Sequence, residues 1–327
     1  MNSPILRTIA AAVLLSAAGF ASAQVTGTID QTGLTNRAYL NQTGAVGPAN
    51  AVITQNGNNN LAGDPATASG GIVQINAVDA EAAITQIGNR NSASISQNGV
   101  EVTASTITQT GQDNRASITQ GDQLEVTNTI AQTGNRNTVT ITQNDGWRDG
   151  ADLTQTGNDN RVEFTQSGTG NAILDALQQG NGNTIRAAQI NVGPFLIIAE
   201  QIGNTNRIDV QQTLAGFDGP RMYQNGNNND IVIRQNDAFY SGVRVWQTGN
   251  GNRASVTQED TLFTREQSIL QTGNNNLATA YESGDMNESR IEQNGNNNRA
   301  SVSQIGFERY SHLVQNGNNN VAAIVQH

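Results

Sequence analysis

The sequence has no cysteine, so disulfides and thiol chemistry play no part in it. Lysine is absent too: all 17 basic residues are arginine, against 27 acidic ones, for a net charge of −10. An acidic chain lacks the basic footprint that a phosphate backbone requires, which argues against a nucleic-acid partner. Only two histidines, His312 and His327, are available for nucleophile–base pairs or zinc. Carboxylates are scattered through the variable segments, and the glycine-rich turns lack the helix that a phosphate cradle needs. The sequence therefore suggests no enzyme class, no cofactor and no metal. Aromatic residues make up 4% of the chain and all hydrophobic residues 35%, too little for a thick apolar core. Long apolar runs are missing as well: the run at 9–20 is shorter than the ~18–20 residues of a membrane span. With Arg7 before it and Ala21-Ser22-Ala23 after it, that run reads as a secretory leader over 1–23, leaving 24–327 as the mature chain.

What is present is glycine, asparagine, glutamine, serine and threonine, arranged with a period. The triplet Gln-x-Gly-x-x-Asn recurs 13 times. Its glutamines are Gln31, Gln55, Gln86, Gln109, Gln132, Gln155, Gln178, Gln201, Gln224, Gln247, Gln271, Gln293 and Gln315. The glycines are Gly33, Gly57, Gly88, Gly111, Gly134, Gly157, Gly180, Gly203, Gly226, Gly249, Gly273, Gly295 and Gly317. The asparagines are Asn36, Asn60, Asn91, Asn114, Asn137, Asn160, Asn183, Asn206, Asn229, Asn252, Asn276, Asn298 and Asn320. From Gln86 to Gln247 the spacing is the same through seven successive intervals, and after Gln247 it varies by no more than one position. Without a period such a composition would read as disorder. With one, each repeat is a supersecondary unit stacked on its neighbours and sharing a thin core with them.

Within a repeat, alternation with period two predicts strand–turn–strand. In 107–120, Ile107 and Gln109 share one face, a glycine turn follows, and Asn114, Ala116, Ile118 and Gln120 share one face again. Thr108, Arg115, Ser117 and Thr119 alternate outward. A second glutamine closes most repeats, as at Gln97, Gln120, Gln143, Gln166, Gln189, Gln212, Gln235, Gln258, Gln304 and Gln326, with Glu282 in its place once. A buried amide is costly unless matched. Parallel rungs ~4.8 Å apart let each amide bond the one above and the one below, provided the same residue recurs in register. The expected fold is an all-β solenoid of stacked strand–turn–strand repeats forming one domain over 24–327. The triplet Gln and Asn residues are its amide ladder and the glycines its turns. Pro48, Pro65, Pro194 and Pro220 fall between triplets, and the long interval from Gln55 to Gln86 reads as a looped-out insertion at 63–71. Outward Arg115, Arg161, Arg207, Arg253 and Arg299 recur at the same repeat position on every second rung, which spaces like charges.

The extended pattern Gln-x-Gly-x-x-Asn-x-Ala-x-x-x-Gln, at 86–97, 109–120 and 247–258, resembles the repeat of bacterial curlins, the subunits of curli fibres. The resemblance runs over essentially the whole mature chain. It departs from the familiar pattern in the large number of repeats and in the lack of a non-repeat segment between Gln24 and the first repeat. The resemblance implies an extracellular functional amyloid: export through an outer-membrane secretion channel, nucleation by a nucleating curlin subunit, and end-to-end self-polymerisation into adhesive biofilm fibres. The rival reading is a monomeric secreted β-solenoid adhesin that binds surfaces without polymerising; it would need capping elements at both ends.

Overall fold

Alternation sets the strands. Along Arg115–Asn135 the side chains of Ala116, Ile118 and Gln120 are buried, while Arg115 and Thr119 are exposed. The same pattern recurs throughout the computed structural model, which describes residues 10–16, 25–63, 70–217, 219–263 and 265–327. Among the described residues the secondary structure is all β, with parallel pairing and no helix that could cross a membrane. The chain forms two compact units, Met1–Asp159 and Asn160–His327, and each is a β-solenoid, with about 13 rungs in all. The triplet period continues through the division: Gln155 and Gln178 keep the spacing of the repeats on either side.

In the first unit, Val25–Thr32, Val46–Asn58, Val78–Asn89, Glu101–Gln112, Arg115–Asn135 and Gly150–Asn158 pair in succession. Their register aligns Gln31, Gln55, Gln86, Gln109, Gln132 and Gln155 in one column. In the second unit the same column runs from Gln178 through Gln201, Gln224, Gln247, Gln271 and Gln293 to Gln315. Two residues before each glutamine lies an apolar column, with Ile53, Ile84, Ile107, Ile130 and Leu153 in the first unit, all buried. The facing strands contribute small and branched residues, such as Ala93, Ala116 and Val139, then Ile95, Ile118 and Ile141. The core is one side chain deep from each strand. Each buried isoleucine contributes roughly 1.5–3 kcal/mol, so a modest apolar content is enough.

Some features differ from the sequence expectation. The insertion expected at 63–71 falls within the second strand of its rung and splits it. Arg37–Thr43 pairs first with Leu61–Ala62 and then, beyond the insertion, with Gly71–Ile75, so that Leu40 meets Ile72 and Gln42 meets Gln74. The chain leaves and re-enters through a narrow neck: a Cβ on Gly63 would stand 2.5 Å from Gly71 N. Pro65 and the rest of 64–69 lie outside the described residues. Pro48 lies inside the strand Val46–Asn58, where the register shifts between Val46 and Ala49, which spares the ladder the missing N–H. Of the expected leader, 1–9 and 17–23 fall outside the described residues, while Ala10–Ser16 forms a strand paired in parallel with Arg37–Thr43.

The triplet glycine is required by contact as well as by conformation. Its φ lies between 107° and 128° in every repeat. The neighbouring rung comes so close that a Cβ on Gly226 would stand 2.0 Å from Gly249 O. Gly182 is different: its φ is 67° and an added Cβ would meet only Thr205 Cγ2, at 3.3 Å. Gly226→Ala is therefore expected to cost more than ~3 kcal/mol and Gly182→Ala about 1 kcal/mol. Denaturant midpoints of the two purified variants test the difference; equal midpoints would contradict it.

Candidate functional site

Among the described residues no group of three or more His, Asp or Glu converges on a metal-sized site. What repeats is a set of inward amide columns. In the first column the triplet Gln Nε2 donates to Oε1 of the next rung's Gln, at 2.9 Å from Gln86 to Gln109 and 2.8 Å from Gln109 to Gln132. The second unit repeats this at 2.8 Å from Gln201 to Gln224 and 2.9 Å from Gln224 to Gln247. The other hydrogen of Nε2 crosses the core: Gln109 donates to Ser92 O at 3.1 Å and Gln224 to Arg207 O at 3.0 Å. One amide thus ties its rung to the next along the column and, across the core, to the second strand of the rung before. All the triplet glutamines are buried except Gln31, which is half-buried.

The second strands carry another glutamine column. In the first unit it begins at Gln42, which donates to Gln74 at 2.7 Å, and Gln74 donates to Gln97 at 2.9 Å. In the second unit Gln189, Gln212, Gln235 and Gln258 follow one another at 2.9, 2.9 and 2.7 Å. Gln42 and Gln74 are not among the glutamines that the sequence pattern assigns to this column. Gln42 follows Gln31 just as Gln97 follows Gln86, so the spacing could have found it. Gln74 stands much farther from Gln55, because the insertion displaces it, and the spacing hides it.

The asparagines make amide-to-amide contacts on some rungs, as from Asn114 Nδ2 to Asn91 Oδ1 at 3.2 Å and from Asn276 Nδ2 to Asn252 Oδ1 at 3.1 Å, and add contacts to backbone. Asn206 Nδ2 donates at 2.8 Å to Gly226 O, the carbonyl of the next rung's glycine, and its Oδ1 accepts the backbone N–H of Asn229 at 3.0 Å. Asn91, Asn114, Asn183 and Asn298 make the same Nδ2 contact with the glycine carbonyl one rung on, at 2.7–2.9 Å. The side chain satisfies turn groups of the adjacent rung that no strand ladder could reach. Each triplet asparagine is buried except Asn320, which is half-buried. The glycine and asparagine of one rung thus depend on those of the next, and neither can change alone.

The residue before each triplet asparagine is in the left-handed region, with φ of 55°–59° wherever it is not glycine. Asparagine and aspartate tolerate that conformation, and others incur a strain of about 1–2 kcal/mol. In the first unit the position nevertheless holds Arg90, Asp113, Arg136 and Asp159 on successive rungs. Arg90 grips Asp113 with two 2.7 Å hydrogen bonds, and Arg136 grips Asp159 in the same way. Each arginine holds its partner's carboxyl below the ordinary carboxylate range. The sequence pattern singles out only the outward arginines one residue after the asparagine; there Arg207 contacts Asp230 at 3.1 Å.

Replacing Asn206 by leucine removes both contacts and leaves Gly226 O and the Asn229 N–H unpaired. Asn206→Leu is expected to cost on the order of 1–3 kcal/mol for each, while Thr184→Ala, on an outward position, should cost under about 0.5 kcal/mol. Matching chemical-denaturation midpoints for the two variants would show that the inward amide does not carry this stability.

Comparison with known proteins agrees with the repeat geometry. The profile of the curlin associated repeat matches residues 88–121 and 268–306, one segment in each unit. A search among curated proteins finds no match. Both matched segments carry the triplet, the parallel rungs and the amide columns just described, and these matches together with the β-solenoid fold fit a curlin-family protein.

Proposed function

We propose that this protein is a secreted structural subunit that polymerises end to end into curli-like extracellular amyloid fibres serving cell adhesion and biofilm matrix. The curlin-repeat matches and the β-solenoid fold point to a structural, non-enzymatic role. The observation that carries the fibre reading is the state of the outermost amides. Gln31 Oε1 and Gln42 Oε1, at the start of the two glutamine columns, are buried acceptors without a partner. At the other end, Gln315 Nε2 donates to Arg299 O and Gln326 Nε2 to Tyr310 O, each leaving its second hydrogen unpaired among the described residues. One edge ends in acceptors and the other in donors. A second copy added head to tail would match them and leave the same two edges exposed again, which is a contact that does not close.

The edge strand Val321–Gln326 supports this. It pairs with Arg299–Ile305, and nothing among the described residues pairs with its other side. It carries no charge or proline, the usual guards of an exposed edge. At the opposite edge, Ala10–Ser16 lies on Arg37–Thr43 with Leu15 at the register position of Gln42. Removal of a leader over 1–23 would uncover that edge, which fits assembly after export. The partners this reading requires are further copies of the chain, an outer-membrane secretion channel and a nucleating curlin subunit; its location is the extracellular cell surface.

Mature protein desalted from denaturant is expected to form fibres with reflections near ~4.8 and ~10 Å. A lasting monodisperse monomer would overturn the proposal in favour of a monomeric adhesin. Ile324→Pro, which removes a ladder donor and disrupts pairing in the edge strand, should slow seeded growth severalfold while the inner rungs still fold. Seeded growth at the unmodified rate would remove Val321–Gln326 as an assembly edge.

A further inference from the structure

The second glutamine column is broken once. The register aligns Gln258, Glu282 and Gln304 on three successive rungs, so a carboxyl stands where every other rung from Gln166 to Gln326 has an amide. Glu282 is fully buried, and no arginine forms an ion pair with it among the described residues. On one side the column continues, Gln258 Nε2 reaching Glu282 Oε2 at 3.5 Å. On the other side it fails. In an intact step the earlier residue's Nε2 donates to the later residue's Oε1, as from Gln304 to Gln326 at 2.8 Å. Here the donor's place is taken by an oxygen, and Glu282 Oε1 and Gln304 Oε1 are both buried without a partner. Two acceptors are left where the column needs one donor.

A single proton satisfies both. We propose that Glu282 is held as a neutral carboxylic acid that donates from Oε1 to Gln304 Oε1, and that it acts as a proton-operated latch on the rungs spanning 277–326: closed when protonated, loosened when ionised.

Burial dominates the surroundings of the carboxyl. Facing it across the core is the column Gln267, Ser289, Ser311, itself buried. Burial is the largest influence and pushes the Glu282 carboxyl up from 4.5 to about 7. Gln267, Ser289 and Gln258 pull the other way, and the negative charge of Glu288 adds to the rise. The remaining charged and titratable groups on the adjoining strands are turned outward: Arg253, Glu259 and Asp260 on one neighbour, Arg299 on the other, and Arg290 and His312 beside Glu292 across the core. The strand Gln267–Thr272 has no charged residue.

Because the folded group binds its proton more tightly than the unfolded one, its contribution to stability is whole below pH 4.5. It declines as pH rises and is gone above about 7. Each pH step of one between those two values changes the folded-to-unfolded ratio of these rungs tenfold, so the ratio should fall by roughly a hundredfold across the window. If fibre growth uses the Val321–Gln326 edge, growth should slow over the same range; that consequence rests on the fibre proposal, and the latch itself does not.

The test compares the full mature chain with Glu282→Gln, which restores an unbroken amide column, between pH 4 and pH 8. In difference infrared spectra, the carbonyl band of one protonated carboxylic acid is expected to persist in the parent chain to near neutral pH and to be missing from the variant. The guanidinium midpoint of the parent should fall over this range and that of Glu282→Gln should fall much less. Three results would overturn the latch: loss of the band together with the ordinary glutamates near pH 4.5, parallel midpoint curves for the two proteins, or full recovery of the pH 8 midpoint on adding sodium or potassium, which would mean that a cation closes the column. The infrared arm decides the matter on the parent chain alone if the variant does not fold.

Discussion

A buried primary amide has two donor hydrogens and one acceptor oxygen to satisfy, and in this protein the rest of the structure follows from how that is done. The triplet glutamine directs one hydrogen along the stack and the other across the core to the second strand of the preceding rung, and takes its acceptor contact from the rung before, as Gln109 does with Gln132, Ser92 and Gln86. The first contact works only if the neighbour is also glutamine and in register. The second works only if the facing strands of successive rungs are held at one separation. Period, register and sheet spacing are therefore one requirement, imposed at every rung, and a slip of a single position would turn each amide outward.

This arrangement explains why so little apolar material is enough. The apolar columns are thin, and alanine takes the place of isoleucine without breaking the fold, as at Ala176 and Ala199. A globular core tolerates such changes poorly, because one missing branch leaves a cavity. Here the opposing strands are fixed by amides on both sides of the apolar layer. Hydrogen bonds of this kind contribute only about 1 kcal/mol each, but an unmatched partner costs more than the bond supplies. The column therefore enforces its own continuity more strongly than it adds stability, and the unfilled atoms around Glu282 are the exception that needs a proton to fit.

Much of this could be read from the sequence, and the limits of that reading have physical causes. Alternation in 107–120 marks which residues point inward, because a strand has only two faces. The invariant glycine is legible as a turn residue; that it is also pressed against the next rung's carbonyl, as Gly226 is against Gly249, is a tertiary contact with no signature in one repeat. The asparagine is legible as an inward amide, but much of its bonding is to backbone, and backbone is the same at every position of a sequence. Gln74 is hidden by an insertion that leaves and returns inside a strand, so that chain distance and ladder distance part company there. The Arg90–Asp113 and Arg136–Asp159 pairs fall on a left-handed position that composition alone would assign to asparagine or glycine.

The insertion also shows which part of a rung is essential. Residues 63–70 interrupt a strand between Ala62 and Ile72, yet Ala38 still meets Ala62, Leu40 still meets Ile72 and Gln42 still meets Gln74. The inward columns pass the interruption without a shift, and its two ends, at Gly63 and Gly71, meet in close contact. Pro48 is accommodated on the same terms, at a register irregularity that leaves Gln55 on Gln86. Where the interval between triplets lengthens or shortens, Gln247, Gln271, Gln293 and Gln315 stay aligned, the difference being taken up in the segments between triplets. Residues may be added or lost wherever no amide must meet its counterpart. They cannot be added between Gln and Asn of a triplet, where glycine carbonyl, asparagine amide and glutamine amide each find their partner on the next rung. A rung is thus defined by the stretch from that Gln to that Asn, and a strand edge that presents it is complete only when another rung lies against it.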